Sequence, residues 1–206
     1  MPGLKTPGAG RDGAGRDLTI RVRHRSGNPG ATLSNIGEDW ARLRHVRLYD
    51  AIAQLTANNG FRAVVFYRAA NWFHRRRIPL VPGILTSISL CLTGAEILPQ
   101  AEIGPGLVVK HPGGIVVGAG TVIGSRCTIL QNVTLGEKLD ESGDHAYPTV
   151  GSGVTLCAGA VIVGNVRVGD GATVGANSVV LSDVPDGATV VGAPARQIKG
   201  KGSAGA

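Results

Sequence analysis

Residues 150–179 read VGSGVT LCAGAV IVGNVR VGDGAT VGANSV, five hexads led by Val150, Leu156, Ile162, Val168 and Val174. A six-residue period fits neither the 3.6-residue turn of a helix nor simple strand alternation; it predicts very short strands separated by repeated corners. The same aliphatic spacing extends from Ile97 to Val180. Each lead residue points inward, three hexads close one roughly triangular coil, and residues a full coil apart stack at about 4.8 Å. The pattern is that of a parallel β-helix. The fifth-position residues Val154, Ala160, Val166, Ala172 and Ser178 share its interior, and glycines take corner conformations that most side chains cannot adopt. The 32 glycines are therefore structural rather than a sign of disorder.

The 206 residues are ample for one core, and 43% hydrophobic content excludes a wholly disordered chain. The longest apolar stretch, Ile78 to Leu92, is interrupted by Pro79, Pro82 and Gly83 and is shorter than the roughly 20 residues of a bilayer helix. The N-terminal MPGLKTPGAGRDGAGRD lacks an apolar signal core, so the expected compartment is the cytoplasm. Cys91, Cys127 and Cys157 show no CxxC spacing and read as buried, reduced thiols. The expected organisation is a flexible basic tail at 1–37, a helical segment at 38–93, a β-helix domain at 94–192 with a loop at 136–149, and a C-terminal tail at 193–206.

The net charge of +7 is unevenly distributed. Residues 51–95 carry five arginines and no acid, whereas residues 96–206 carry seven Lys or Arg against nine acids. Within the basic part, Phe61, Val64, Val65, Tyr67, Arg68, Trp72 and Phe73 supply one helical face, with a break near Asn58, Asn59 and Gly60. Arg75, Arg76 and Arg77, followed by IPLVPGIL, admit two readings. One is a membrane-surface or lipid contact of the basic arm; the other is a solvated helix C-terminus complementing its dipole. No nucleic-acid-binding module is visible.

The repeat breaks twice, and breaks in a regular scaffold are where a site is expected. The step from Val109 to Val117, VKHPGGIV, is two residues longer than a hexad and carries His111. The excursion from Gly136 to Thr149, GEKLDESGDHAYPT, carries His145. An imidazole, which ordinarily titrates near 6.5, cannot pre-ionise a hydroxyl, but it can take the proton as the oxygen attacks a thioester. His111, at a glycine-rich bulge, suits that task.

Three stretches, AEILPQAEIGPGLVVKHPGGIVVGAGTVIGSRCTILQNVTLG, GDHAYP and GANSVVLSDVPDGATVVGAPAR, resemble the serine acetyltransferase branch of the hexapeptide-repeat acyltransferases, closely over 94–198 and more weakly over 48–93. The resemblance implies a left-handed β-helix, a homotrimer with active sites between neighbouring prisms, and acetyl-CoA as donor; the cysteine spacing and the two histidines of the repeat give no reason to expect a metal. It also implies that His111 is the catalytic base. Glu96, fifteen residues earlier where the family has Asp, would orient His111 from the preceding coil. Gly136, Ala158 and Ala176 fall on positions lining the acetyl-CoA groove, and Arg196, Lys199 and Lys201 are candidates for its phosphates.

Two departures bear on the acceptor. Where the family has Arg-His-Pro, this loop reads Asp144, His145, Ala146, Tyr147, Pro148, so either His145 or Tyr147 takes the second-histidine role. The acid that precedes the catalytic histidine in the family, and helps hold the serine amino group there, is Lys110 here. A cation repels an ammonium and suits a neutral or anionic acceptor. The expected activity is therefore acetyl-CoA-dependent O-acetyl transfer, either to serine or a serine-like amino acid or to a sugar hydroxyl in polysaccharide biosynthesis. Two readings of other classes stand beside it. A γ-carbonic-anhydrase-like zinc protein would need three histidines where the repeat offers two; the other reading is a non-catalytic β-helix scaffold.

Overall fold

The computed structural model describes residues 35–39, 58–139, 143 and 145–198. Among the described residues, a short helical stretch at 35–39 and two helices, α1 (Asn59–Arg75) and α2 (Val81–Thr93), precede seventeen short strands. The strands are β1 (Glu96–Ile97), β2 (Glu102–Ile103), β3 (Val108–Val109), β4 (Val116–Val117), β5 (Val122–Ile123), β6 (Thr128–Ile129), β7 (Thr134–Gly136), β8 (Lys138–Leu139) and β9 (His145–Ala146). They continue as β10 (Thr149–Val150), β11 (Thr155–Leu156), β12 (Val161–Val163), β13 (Arg167–Val168), β14 (Thr173–Val174), β15 (Val179–Val180), β16 (Thr189–Val191) and β17 (Arg196–Ile198).

Three parallel faces form the prism. Face I is β1-β4-β7-β12-β15, face II is β2-β5-β10-β13, and face III is β3-β6-β11-β14-β16. In the regular part, residues eighteen apart pair: Thr149 with Arg167, Thr155 with Thr173, Val161 with Val179. The lead residues Val150, Leu156, Ile162, Val168 and Val174 are at most 1% exposed, and Val154, Ala160, Val166, Ala172 and Ser178 are buried beside them. Both breaks appear as changes of register. Glu96 pairs with Val116, twenty residues on, because the first coil holds the His111 bulge. Val122 pairs with Thr149, twenty-seven on, because the excursion leaves the wall as the β8–β9 hairpin and returns.

Helix α1 closes the first coil. Asn58 caps it by accepting the Phe61 N–H at 3.0 Å, so α1 starts at the Asn-Asn-Gly run; the segment before the expected break lies outside the described residues. Gly60 rests so close to the Val109 carbonyl that an added Cβ would lie 1.9 Å from its oxygen. The open backbone of the first coil is satisfied by α1 side chains. Tyr67 donates to the Ala101 carbonyl (2.8 Å) and Asn71 to that of Pro99 (2.7 Å). Arg68 donates to Ile103 (2.5 Å) and Gly104 (2.6 Å), and also pairs with Asp39 (2.9 Å), which accepts the Leu107 N–H (2.7 Å). Phe61, Val64, Tyr67 and Arg68 are buried as the helical period predicted; Val65, Trp72 and Phe73 are only half-buried. Burial of the Tyr67 phenol pushes its pKa up to about 12.

Three expectations need correction. Residues 35–39 are helical, so the helical part starts before residue 38; 1–34 and 40–57 lie outside the described residues. The C-terminal tail does not begin at 193: β17 adds antiparallel to β16, with Val190 opposite Gln197, because the chain turns back at Gly192. Only Cys127 is buried, its thiol donating to the Gly151 carbonyl; Cys157 is half-buried and Cys91 is exposed on α2.

Candidate active site

The III/I edge, where each coil turns from face III into face I, carries the first set of expected residues. Backbone bonds stack its corners: Asn132 N–H donates to Gly113, Gly159 to Gln131, and Asn177 to Ala158. Ala158 and Ala176 are therefore vertical neighbours, and the His111 bulge lies on the same edge two coils below Ala158. At about 4.8 Å per coil, His111 and Ala176 are roughly 14 Å apart along the column. The bulge is held from both sides. Gly114 donates to the Gly94 carbonyl at 2.8 Å, and an added Cβ on Gly114 would sit 2.2 Å from the Asn132 side-chain oxygen. His111 itself has φ of +54°, the left-handed region, and its side chain and that of Lys110 are exposed.

Glu96 opens face I immediately after the Gly94 corner that stacks on the bulge, one coil below. Among the described residues no hydrogen bond joins it to His111. It lines instead a groove between α2 and the first coils, with His74, Thr86, Ser87 and Gln100.

The second set lies one face away. Gly136 ends β7 at the I/II edge, and the hairpin projects there. Glu137 accepts from Tyr147 and pairs with His145 Nδ1 at 2.8 Å. The Tyr147 and His145 bonds hold the Glu137 carboxyl below the usual carboxylate range, and the same contact raises the Tyr147 phenol. Tyr147 lies over the Gly118–Gly120 corner: a Cβ on Gly120 would come within 2.3 Å of its ring. Within one chain, then, Gly136, His145 and Tyr147 are separated from His111, Lys110, Ala158 and Ala176 by the width of face I. Glu137 has no counterpart in the sequence expectations; only the backfolding of the hairpin brings it to His145. Arg196 is exposed at the far end on β17, and Lys199 and Lys201 lie outside the described residues. Among the described residues no cluster of three His, Cys, Asp or Glu gathers, and no helix is long and apolar enough to cross a membrane.

The stacked coils, the bulged corner and the expelled hairpin define a hexapeptide-repeat transferase fold. Residues 147–182 match the family described as Bacterial transferase hexapeptide (six repeats), and the prism is the left-handed β-helix of that class. Within that class the relationship narrows. The chain is 43% identical over 139 residues to serine acetyltransferases of Synechococcus elongatus and of Helicobacter pylori strain J99; this is 68% of the chain, and 57% and 81% of those proteins respectively. The chain thus spans little over half of the Synechococcus relative. The soybean serine acetyltransferase complexed with serine superposes with a TM-score of 0.74 at 36% identity, covering 82% of this chain and 70% of that one. A serine acetyltransferase in complex with CoA gives 0.73 at 35% identity, covering 82% and 70%. The chain belongs to the serine acetyltransferase family of hexapeptide-repeat acyltransferases.

Proposed function

We propose that this protein transfers the acetyl group of acetyl-CoA to the hydroxyl of a small acceptor, with His111 as general base. The observation that carries this reading is the presentation of an exposed imidazole at a bulged corner, in line with the stacked small residues Ala158 and Ala176. A thioester arm lying along that edge would pass the small Ala158 and Ala176 and the Gln131–Asn132 corner, with its carbonyl directed to His111 at the lower end. His111 takes the acceptor proton as the oxygen attacks, and backbone N–H groups at the bulge stabilise the oxyanion. Glu96, on the adjoining coil, is the positioning residue for the imidazole.

His145, Tyr147 and Gly136 complete the site from a neighbouring copy. The width of face I keeps the two sets apart in one chain, so a homotrimer with sites at its seams unites them. Arg196 and Lys199 are assigned to the CoA phosphates. The relatives named for serine support serine, or an amino acid like it, as acceptor. Lys110 beside His111 favours a second reading, a neutral or anionic hydroxyl such as that of a saccharide.

The test measures CoA release with serine, homoserine and nucleotide sugars as acceptors. Asn tolerates the left-handed φ at position 111, so His111→Asn removes the base with the least disturbance of the bulge. It should lower the rate about 100-fold or more. Unchanged turnover in H111N ends the general-base assignment, and turnover with serine alone ends the saccharide reading. No turnover with any acceptor leaves the scaffold reading. An inactive H111N copy mixed with an inactive His145→Ala copy should regain activity if the site is built across a seam.

A further inference from the structure

Helix α2 is built inside out. Its residues turned toward α1 and the first coil are Pro82, Ser89 and Thr93, and the two hydroxyls are satisfied by the Ala95 and Ser89 carbonyls (3.3 and 2.7 Å). Its outward face is a stripe at helical spacing: Leu80, Ile84, Ile88 and Leu92, which are 81%, 56%, 39% and 53% exposed. A surface helix of a water-soluble domain normally shows the opposite arrangement. The stripe continues through Ile78 along a groove that also includes His74 and Pro79.

The start of the stripe is strained. Leu80 has φ of +66° and ψ of −43°, and Val81 donates to the Pro79 carbonyl at 2.8 Å. This is the uncommon, strained form of γ-turn, with a leucine rather than glycine at its tip. Backbone strain that holds a large apolar side chain in water points to a function for that side chain.

The charge around the stripe selects what covers it. From residue 51 to 95 the chain has five arginines and no acid, and α2 has no charged residue at all. Arg76 and Arg77 are exposed directly before the stripe, with the Arg76 guanidinium 3.8 Å from the Trp72 ring centre. The same face of a second copy offers these arginines no carboxylate, since residues 51–95 carry none. A surface that is apolar at depth and anionic at its rim meets both needs. At thirteen residues α2 is about 20 Å long, too short to span a hydrocarbon core of about 30 Å, so it would lie along the interface.

We propose that the Arg76–Leu92 segment docks the protein onto an anionic bilayer surface, with Leu80, Ile84, Ile88 and Leu92 entering the acyl boundary and Arg76 and Arg77 meeting the headgroups. Neither arginine nor any residue of the stripe belongs to the acetyl-transfer machinery, so the two readings fail separately.

Cosedimentation of the full chain with phosphatidylcholine vesicles, with and without phosphatidylglycerol, is the test. Binding is expected only with phosphatidylglycerol and should weaken with salt. Leu80→Gly relieves the positive φ while removing the anchor, so it should keep the fold and lower affinity about 10-fold. Arg76→Gln with Arg77→Asn should lower it about 5-fold per arginine. CoA release in solution and oligomeric mass should be unchanged in both variants. Absence of binding, equal binding to neutral vesicles, or binding indifferent to Leu80→Gly overturns the proposal. A change of oligomeric mass on Leu80→Gly or Ile84→Ser also overturns it, because the stripe would then be an interface between copies.

Discussion

Replacing Arg68 by Met strips the first coil of its central polar clamp while keeping much of the side chain's buried stem. The guanidinium is 1% exposed and donates to Asp39 at 2.9 and 3.3 Å, to Ile103 at 2.5 Å and to Gly104 at 2.6 Å. Asp39, 0% exposed, would keep only the Leu107 N–H among the described residues. Leaving a buried carboxylate without its cation costs about 3–5 kcal/mol. Each of the two stranded carbonyls adds about 1 kcal/mol, less whatever water can reach them. A loss of about 5 kcal/mol is expected, read as a fall of roughly 2 M or more in the urea midpoint by far-ultraviolet circular dichroism. Asp39→Asn with Arg68→Met removes the stranded charge and should recover a substantial part of that loss. A loss under about 1 kcal/mol for R68M would refute the reasoning, as would a double variant costing the sum of the two singles.

Other consequences are equally direct. Gly120→Ala would place a methyl 2.3 Å from the Tyr147 ring, so the ring should move and the hairpin loosen, giving faster limited proteolysis between Leu139 and His145. The Thr121 hydroxyl is buried with no hydrogen-bond partner among the described residues, so Thr121→Val should be neutral or stabilising by up to about 1 kcal/mol in urea. The Tyr67 phenol, raised to about 12, stays protonated in the folded chain after the unfolded chain has released its proton. Its contribution is complete below pH 10 and is lost as the pH rises toward 12, by about 3 kcal/mol. Stability measured against pH should therefore fall less steeply over that range in Tyr67→Phe than in the unaltered protein. Glu137→Gln should lower the raised Tyr147 phenol toward the ordinary tyrosine value in an absorbance titration. The clasp itself should open as acid titrates Glu137 below the usual carboxylate range.

The hexads were legible because the same physical demand recurs at every lead position: an aliphatic side chain must enter a narrow prism, as Val150 through Val174 all do. The two breaks were legible for the converse reason, since extra residues in a fixed coil have to leave the wall. The rest of the candidate site depends on which corner each residue reaches. Gly136 and Ala158 look alike in sequence yet occupy different edges, because the hairpin departs between face I and face II. Arg68 could be placed on the inward face of α1, but its partner Asp39 lies 29 residues away with no periodic relation to it. For α2 the sequence placed an apolar stretch inside the helical segment but not its orientation: a helix with hydroxyls on one side and aliphatic residues on the other is ordinarily assigned with the aliphatic side inward. The β17 strand was missed because it runs against the repeat.

A stack of parallel coils has no intrinsic reason to stop, since its terminal rungs present open backbone groups to any similar rung. Here α1 fills the lower rung with Tyr67, Arg68 and Asn71, while the Gly192–Ile198 segment turns back over the upper one, Ala195 donating to Val179. Growth into end-to-end fibres is thereby blocked at both termini of the column, which leaves its sides as the faces open to a neighbouring copy of the kind proposed above.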